Sequence, residues 1–288
     1  MGASSTQSSA AAKEHVDVPR LRAQEFVRPM RGGSQPWLVR CEGGGYYVVK
    51  FRENPQHVRV LANEMLGGLL ARLIQLPVAD FAFVEVPLAL AEQFRSGAPN
   101  GSEMLVVERL DPGPHFGSRF PGDPAETLAV EFLPDHLLRQ VRNLREAFLG
   151  ALAFDKWTCN CDGRQLVFYR QPGARSQGYT ACLIDQGFCF NDGDWSFPDS
   201  VLRGLHPRRL VYEGVRGAES FEPFLSRIEN LGASELEACA RRIPPGWCDG
   251  ESAGPMRLAE SLYARRRKLR QALIDLKNSE FNPFPNWK

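Results

Sequence analysis

Short apolar runs separated by glycine-rich turns predict a strand meander from Glu25 to Phe51. Trp37 to Cys41 is predicted as one strand, and Tyr46 to Phe51 as its return strand, because the turn between them contains three consecutive glycines. Another glycine-rich turn, at residues 31–36, precedes this pair. The pattern indicates antiparallel hairpins in this part of the chain.

Apolar residues then recur at helical spacing between Gln56 and Ile74, and Asn54-Pro55 is a start signal for this helix. Phe83 to Leu90 and Glu103 to Leu110 are again short apolar runs and predict two further strands. The first part of the chain is therefore expected to be β-rich, with one helix.

The run Asp111-Pro112-Gly113-Pro114 interrupts the strand pattern and is the predicted boundary between two lobes. Beyond it, helices are predicted at Asp135 to Trp157, Glu219 to Asn230, Ser234 to Arg242 and Met256 to Lys277. The result is an α+β, bilobal prediction: a small, polar, disordered leader at residues 1–16, a β-rich N-terminal lobe at 17–110 and a mainly helical C-terminal lobe at 111–288.

The chain has 35 basic and 34 acidic residues and a net charge of +1. This balance provides no overall field that would attract nucleic acid or an acidic membrane surface. The apolar runs are interrupted and shorter than the roughly 20 residues that span a bilayer, and the N-terminus lacks a signal-peptide pattern. We therefore expect no direct nucleic-acid partner and no membrane partner.

The odd number of cysteines, seven, argues against a disulfide framework. Cys159 and Cys161 form a close pair, but no C-x-x-C or histidine pair completes the four ligands of a zinc site. Free thiols are typical of a reducing compartment, so a cytoplasmic location is expected.

Two aspartates in the second half of the chain have the arrangement of a catalytic pair. Asp162 lies in a polar loop from Asn160 to Gln165, and Asp185 ends the apolar run Leu183-Ile184. One hairpin between them would bring both carboxylates into one cleft. Phosphoryl transfer uses such a pair, with one carboxylate near the attacking hydroxyl and the other on the Mg²⁺ that bridges the nucleotide phosphates. The alternative is that both are ordinary turn residues.

Lys50 and Glu64 form a second candidate pair. Lys50 lies near the end of an apolar strand, and Glu64 lies in the next predicted helix, from which its carboxylate can reach the lysine. A lysine held in this way can bind nucleotide phosphates; the alternative is a solvated lysine and a surface glutamate. The Gly32-Gly33-Ser34 turn would bring backbone N–H groups close to phosphate oxygens, although it is not a Walker A loop.

Four short motifs, taken in order, resemble HipA-type kinases and more specifically the compact HipA-like kinase domains. They are Gly33-Ser34-Gln35-Pro36, Val49-Lys50-Phe51, Leu61-Ala62-Asn63-Glu64 and Asn160-Cys161-Asp162. The region of resemblance extends from Phe26 to Phe190. It implies a bilobal, protein-kinase-like phosphotransferase that uses ATP and Mg²⁺, in which Lys50 binds the nucleotide, Asp162 is the catalytic base and Asp185 binds the metal.

The resemblance also implies a nucleotide site that extends over both lobes. The residues expected to contact or organise the nucleotide are Gly32, Gly33, Ser34, Gln35, Lys50, Glu64 and Glu108. The strand from Leu105 to Leu110 would present its backbone groups to adenine.

Position 167 departs from the family pattern. HipA kinases usually carry a metal-binding Asn five residues after the catalytic aspartate, and this chain has Val167 there. Gln165 is the nearest amide and would take that role, with Asn160 as the other candidate. A second register is also open, because Asn160 follows Asp155 by five positions, which is the spacing of eukaryotic kinase catalytic loops. We favour Asp162, because Asp155 lies where the preceding helix should still be running.

Three functions remain open at this point. The expected one is transfer of phosphate from ATP to a serine or threonine hydroxyl of an unidentified protein. The missing Asn supports a second hypothesis, a nucleotide-binding pseudokinase that regulates a partner, and the same site would also suit a small-molecule kinase. A toxin–antitoxin role is not expected, because the leading 25 residues leave no room for the additional N-terminal subdomain of the larger HipA toxins.

Overall fold

The computed structural model describes residues 17–97, 110, 112–170 and 178–288. The elements of its first part are β1 (Arg20–Pro29), β2 (Trp37–Cys41), β3 (Tyr46–Lys50), α1 (Arg59–Leu73), β4 (Phe81–Val86), α2 (Leu88–Gly97) and β5 (Gly113–Arg119). A short 3-10 turn at Glu42–Gly44 joins β2 to β3. The predicted meander and helix are present, and the first strand begins before Glu25.

The strands of this part close into a small barrel with the order β1-β2-β3-β5-β4. Neighbouring strands are antiparallel except for β1 and β4, which pair in parallel and complete the barrel. Alternate residues, such as Val39, Val49 and Val84, are buried in its interior. Lys50 ends β3 opposite Phe116 of β5, so both lie in the wall of the barrel.

Strand β5 corrects the lobe boundary predicted at Asp111 to Pro114. The last two residues of this run belong to the barrel, because Gly113 pairs with Val86 and Pro114 pairs with Glu85. The pairing of β5 with β3 begins only at Phe116. Pro114 therefore lies where β5 has its strand partner on one side, a position at which a missing N–H is tolerated.

The strand predicted from Phe83 to Leu90 is shorter than expected. It ends at Val86, and α2 begins at Leu88. Pro87 explains the change, since it lacks the N–H needed to continue a strand ladder and suits the start of a helix. The Ala91 N–H donates to the Pro87 carbonyl at 3.0 Å. The strand predicted from Glu103 to Leu110 lies outside the described residues, apart from Leu110, which is buried.

The elements of the remaining chain are β6 (Leu128–Val130), α3 (Asp135–Leu138), α4 (Ala151–Thr158), β7 (Gln165–Arg170), β8 (Thr180–Ile184), α5 (Phe224–Glu229), α6 (Ala233–Ala240), α7 (Gly254–Arg265) and α8 (Leu269–Asn278). Strands β6, β7 and β8 form an antiparallel sheet in that order. Among the described residues, no helix has the length and apolar character to cross a membrane.

The single helix predicted from Asp135 to Trp157 is divided in the structure. Helix α3 ends at Leu138, and a π-helical turn at Glu146–Gly150 leads into α4. Between them, the Asn143 side chain donates to the Ala181 carbonyl at 2.8 Å and accepts the Ala181 N–H at 2.9 Å. This contact with β8 holds the chain in a non-helical path, and the spacing of apolar residues cannot reveal it.

Helix α1 is buried along most of its length and contacts both lobes. Two adjacent glycines allow this close packing. A Cβ at Gly67 would lie 2.7 Å from Gln186, in the segment after β8, and one at Gly68 would lie 2.6 Å from the ring of Phe81, in the barrel. The helix therefore places Glu64 at the boundary between the lobes.

Candidate active site

A cleft of about 1160 Å³ separates the barrel from the sheet formed by β6, β7 and β8. The predicted site residues that line it are Gly32, Gly33, Ser34, Lys50, Glu64, Asp162, Gln165 and Asp185. Val48 and Phe116 of the barrel and Val167 and Ile184 of the sheet add apolar surface to the same cleft. The fold thus brings together charged and apolar groups from distant parts of the chain.

Lys50 is the centre of the charged group in this cleft. Its Nζ atom lies 2.5 Å from Glu64 Oε1 and 2.9 Å from Asp185 Oδ1. The side chains of Lys50, Glu64 and Asp185 are 11%, 4% and 20% exposed. The structure places Lys50 next to Glu64, as the sequence predicted. The ion pair between Lys50 and Asp185 also joins the barrel to the segment after β8.

The two ion pairs determine the charges of these groups. Burial by itself lowers the pKa of Lys50, but the nearby carboxylates of Glu64 and Asp185 outweigh burial and raise it. Burial by itself raises the pKa of Asp185, but the Lys50 ammonium and hydrogen bonds from Lys50 and the Gly187 N–H outweigh burial and lower it. At neutral pH, Lys50 is therefore cationic and Asp185 is anionic.

Two adjacent side chains attach α1 to the segment after β8. Glu64 Oε2 accepts the backbone N–H of Gln186 at 2.9 Å. Asn63 Nδ2 donates to the carbonyls of Gly187 and Asp192 at 2.7 and 3.0 Å. Because Asn63 and Glu64 are both buried, these bonds fix the distance between α1 and Asp185 independently of Lys50.

The loop after α4 presents Asp162 to the cleft. Helix α4 ends at Thr158, and the next residue, Cys159, caps it in a left-handed conformation with φ 54°. Asn160 then donates from Nδ2 to Asp155 Oδ1 at 3.1 Å and accepts the Asp162 N–H at 3.2 Å. Asp162 is exposed and lines the cleft, whereas Asn160 is buried and is not among the lining residues. Asn160 thus supports the loop, in a place that does not suit the metal-ligand role predicted for it.

Asp155 lies behind this loop and away from the cleft. Its side chain is fully buried against that of Arg164, which is 2% exposed. Arg164 Nε donates to Asp155 Oδ2 at 3.0 Å, and the NH2 group donates to Oδ1. A carboxylate enclosed in this way cannot meet an acceptor hydroxyl in the cleft. The geometry therefore favours Asp162 over Asp155 as the base.

Sequence analysis missed Arg164 and Gln186, which connect the two aspartate segments. Arg164 NH1 donates to Gln186 Oε1 at 2.8 Å and to the carbonyls of Ile184 and Asp185 at 3.2 and 3.3 Å. Both side chains are buried. An arginine next to a glycine in a polar loop has the pattern of a solvated side chain, so the only available signal was its position near Asp162.

The glycine-rich turn contributes backbone to the cleft. Gly32 has φ +139°, a conformation that L side chains rarely adopt, and its carbonyl accepts the Gln35 N–H at 3.1 Å. Gly33 and the buried Ser34 also line the cleft. Gln35 is half-buried and is not a lining residue, so the structure does not bring it to the predicted phosphate position. Glu108 lies outside the described residues.

Alternate residues of β7 face the cleft. Gln165, Val167 and Tyr169 line it, whereas Leu166 and Phe168 are buried on the other face of the strand. Val167 therefore lies in the cleft at the position that the family resemblance assigns to a metal-binding Asn, but its side chain has no donor atom. Gln165, on the same face, offers an amide oxygen.

Asp185 and Gln165 fit a magnesium ion that is shared with a nucleotide. Mg²⁺ is usually held by one or two carboxylates together with phosphate oxygens and water. Asp185 supplies a carboxylate and Gln165 an amide oxygen to the same cleft. In the parts of the chain that the structure describes, no group of three or more His, Cys, Asp or Glu side chains would hold a metal ion. A metal ion at this place would therefore need further ligands besides these two side chains.

Comparison with solved structures identifies the fold. The crystal structure of the Golgi casein kinase matches with a TM-score of 0.50 and 10% sequence identity, over 94% of this chain and 77% of that chain. The same kinase with Mn and ADP bound matches at 0.48 and 10% identity, over 95% and 77% of the two chains. The proinflammatory kinase CtkA of Helicobacter pylori matches at 0.48 and 10% identity, over 88% and 99%. The first likeness, with the strand-rich and helical parts described above, shows a protein-kinase-like α+β fold.

The family follows from the sequence match. The family model described as HipA-like kinase matches residues 24–169, and this chain belongs to that family. The match confirms the resemblance carried by the short motifs, and it assigns the chain to the kinases, a class of phosphotransferases. No curated protein matches the chain.

Proposed function

We propose that this kinase transfers the γ-phosphate of ATP, with Mg²⁺, to a serine or threonine hydroxyl of a protein. The observation that carries the proposal is Lys50, held between Glu64 and Asp185 in a cleft that also contains Asp162. This arrangement supplies a fixed cation for phosphate, an anion for a metal ion and a second anion for the acceptor hydroxyl.

Each group of cleft residues has a separate role in the proposed reaction. Lys50 binds the α- and β-phosphates, and the backbone of the turn from Gly32 to Ser34 approaches the phosphate oxygens. Asp162 orients the acceptor hydroxyl and takes its proton, while Asp185 and Gln165 hold the metal. The chemistry that bound magnesium supplies is neutralisation of charge on the phosphate oxygens. Catalysis of this kind depends on positioning and electrostatic stabilisation.

The adenine ring would lie between apolar residues of the two lobes. Val48 and Phe116 line the cleft on the barrel side, and Val167 and Ile184 line it on the sheet side. A flat, apolar ring gains free energy from burial between such surfaces. The residues around Glu108 are assigned to adenine by the family resemblance.

We place the reaction in the cytoplasm. All seven cysteines are unpaired, which fits a reducing compartment. The acceptor is proposed to be a protein hydroxyl; a small-molecule hydroxyl would use the same Asp162.

A pseudokinase is the second candidate, and Val167 is the observation that favours it. This apolar side chain lies in the cleft where the family resemblance expects a metal-binding amide. If Gln165 does not replace that ligand, the protein would bind a nucleotide through Lys50 and regulate a partner without phosphoryl transfer.

The test is ATP consumption by the purified protein with Mg²⁺, combined with intact-mass detection of phosphorylated products. Asp162→Asn and Asp185→Asn are compared with wild type and with Asp275→Asn, a control at an exposed position of α8. Turnover in wild type and control that falls by at least about 100-fold in both active-site variants supports the kinase. Absence of turnover, with ATP still raising the Tm, selects the pseudokinase. Absence of both effects contradicts both candidates.

A further inference from the structure

A buried network centred on Arg164 connects the two aspartates of the active site. The guanidinium uses its Nε and NH2 groups to hold Asp155 and its NH1 group to hold the last residue of β8 and the segment after it. Burial lowers the pKa of Arg164, but the Asp155 carboxylate outweighs burial and raises it, so the group remains a cation. Arg164 is not among the residues that line the catalytic cleft. Any influence on the reaction must therefore pass through the groups that it contacts.

One branch of the network leads to Asp162. Asp155 Oδ1 accepts both the Arg164 NH2 group and Asn160 Nδ2, the latter at 3.1 Å. Asn160 in turn accepts the Asp162 backbone N–H at 3.2 Å. Asn160 is 2% exposed and Asp155 is fully buried, so these bonds are shielded from competition with water. The backbone of Asp162 is thus held through the carboxylate that Arg164 fixes.

The other branch leads to Asp185, which has a left-handed conformation with φ 58°. This conformation is uncommon for residues other than glycine and requires support from the surrounding structure. The peptide unit between Asp185 and Gln186 is held at both ends. Arg164 NH1 donates to its carbonyl oxygen at 3.3 Å, and Glu64 accepts its N–H at 2.9 Å. These two bonds hold the backbone from which the Asp185 carboxylate projects.

We propose that Arg164 is a positioning residue for phosphoryl transfer, which holds the loop of Asp162 and the segment of Asp185 in one fixed geometry. The inference rests on the proposed function, since it assigns Arg164 to that site. Arginine suits the role because its planar group bonds several acceptors in fixed directions, which a lysine ammonium cannot reproduce. A contribution to stability alone does not explain why position 164 holds a buried arginine. Replacement of a buried ion pair by apolar side chains is often neutral or stabilising.

The test compares Arg164→Lys with the double variant Asp155→Asn/Arg164→Met. The double variant removes both buried charges, fills a similar volume and keeps an acceptor at position 155 for Asn160. Arg270→Lys is the matched control, because Arg270 also bonds two carboxylates, Glu222 and Glu229, but lies outside the cleft. Three quantities are measured: the Tm, the affinity for Mn²⁺ with a non-hydrolysable ATP analogue by electron paramagnetic resonance, and kcat with the KM for ATP.

We expect Arg164→Lys to lose about 10- to 100-fold in Mn²⁺ affinity, as is typical when a group that orients a metal ligand is lost. Its kcat falls, and the KM for metal-bound ATP rises, because weaker metal binding in the enzyme–nucleotide complex also weakens binding of the metal–ATP complex. The single variant Arg164→Met, measured alongside, leaves Asp155 buried without its partner. The double variant has a higher Tm than this single variant, but its Mn²⁺ affinity and kcat remain low. Arg270→Lys keeps the wild-type Mn²⁺ affinity and the wild-type kcat.

A purely structural role makes the opposite prediction for the double variant, in which Mn²⁺ affinity and kcat would return together with the Tm. That result, or wild-type Mn²⁺ affinity and kcat in folded Arg164→Lys, overturns the inference. If wild-type protein binds Mn²⁺ and the analogue but shows no turnover, the proposed function is contradicted. The Mn²⁺ affinities of the variants then decide whether Arg164 positions the metal-binding segment. Wild-type protein that binds neither overturns both proposals.

Discussion

Lys50 Nζ and Asp185 Oδ1 lie 2.9 Å apart, although one belongs to the barrel and the other follows the last strand of the second sheet. The same ammonium lies 2.5 Å from Glu64, so one buried cation balances two carboxylates. Without it, burial and mutual repulsion would both disfavour the ionised forms of Glu64 and Asp185. Lys50 therefore affects the stability of the folded chain as well as its proposed binding of phosphate.

We expect Lys50→Met to bind ATP weakly and to become less stable as the pH rises. Burial already raises the pKa of Glu64 in the wild type despite the nearby Lys50 ammonium. Loss of the cation raises the pKa of Glu64 further and raises that of Asp185 above its unfolded value of about 4. Above that pH the unfolded chain releases protons that the folded chain retains, so stability falls until the raised pKa values are passed. The wild-type Asp185 behaves in the opposite way: its pKa is lowered, and its contribution is lost as the pH falls through the folded value.

Urea unfolding at about pH 5 and about pH 8 measures this difference. Lys268→Met, at an exposed position, should keep the pH dependence of wild type. A Lys50→Met variant with that same dependence would show that Lys50 does not balance the two carboxylates.

Asp155→Asn and Asp162→Asn should differ in their effects on stability. Asp155→Asn leaves the Arg164 guanidinium buried without its carboxylate, and removal of one partner of a buried pair costs about 3–5 kcal/mol. Asp162 is exposed, so its substitution should change the free energy of unfolding by less than about 0.5 kcal/mol. It should nevertheless abolish turnover, because the acceptor proton has no base.

Urea unfolding and a turnover assay on the same samples check this pair of variants. Full activity in Asp162→Asn, with activity lost in an Asp155→Asn protein that remains folded, would move the catalytic role to Asp155. The register preferred from the sequence would then be wrong.

Local patterns in the sequence were sufficient for the elements that carry the main charges. The turn before β3, the strand that ends at Lys50 and the helix that carries Glu64 all follow from nearby residues and their spacing. Asp185 was identifiable for the same reason, since it directly follows a short apolar strand. The structure then brings these groups together in one cleft.

Features that depend on distant partners were not predictable in this way. Asn143 interrupts the helix expected up to Trp157 because it bonds Ala181. Gly113 and Pro114 belong to the barrel because β4 pairs with them. Arg164 is buried rather than solvated because Asp155 and the carbonyls after β8 surround it. In each case the deciding contact joins separate segments of the chain. Such a contact does not appear in the spacing of apolar and polar residues along the sequence.

His206 should make the stability of the C-terminal lobe depend on pH in the acid range. Its ring lies 4.9 Å from that of Phe148, and its Nδ1 accepts the Arg208 N–H at 3.2 Å. Burial and the charge of Arg208 lower the pKa of His206 to about 4, against about 6.5 in an unfolded chain. Between these values the unfolded chain binds a proton that the folded chain does not, so stability falls as the pH decreases from about 6.5 towards 4.

The measurement is the Tm of wild type and His206→Gln across this pH range. We expect the Tm of His206→Gln to fall less than that of wild type as the pH decreases. The Tm of His136→Gln, at an exposed position, should fall as much as that of wild type. Parallel curves for wild type and His206→Gln would exclude His206 as the source of the acid sensitivity.

Gln165 and Val167 should distinguish the kinase from the pseudokinase, because both side chains face the cleft from β7. If Gln165 holds the metal, Gln165→Leu should weaken Mn²⁺ binding in the presence of an ATP analogue by at least about tenfold, since even outer partners of metal ligands contribute that much. Adding Val167→Asn places an amide at the family position and should recover both Mn²⁺ affinity and turnover. Val167→Ala, which adds no donor atom, is the control and should recover neither. Turnover that is absent from wild type but present in Val167→Asn would instead mean that the natural protein is a pseudokinase and that this apolar side chain is the reason.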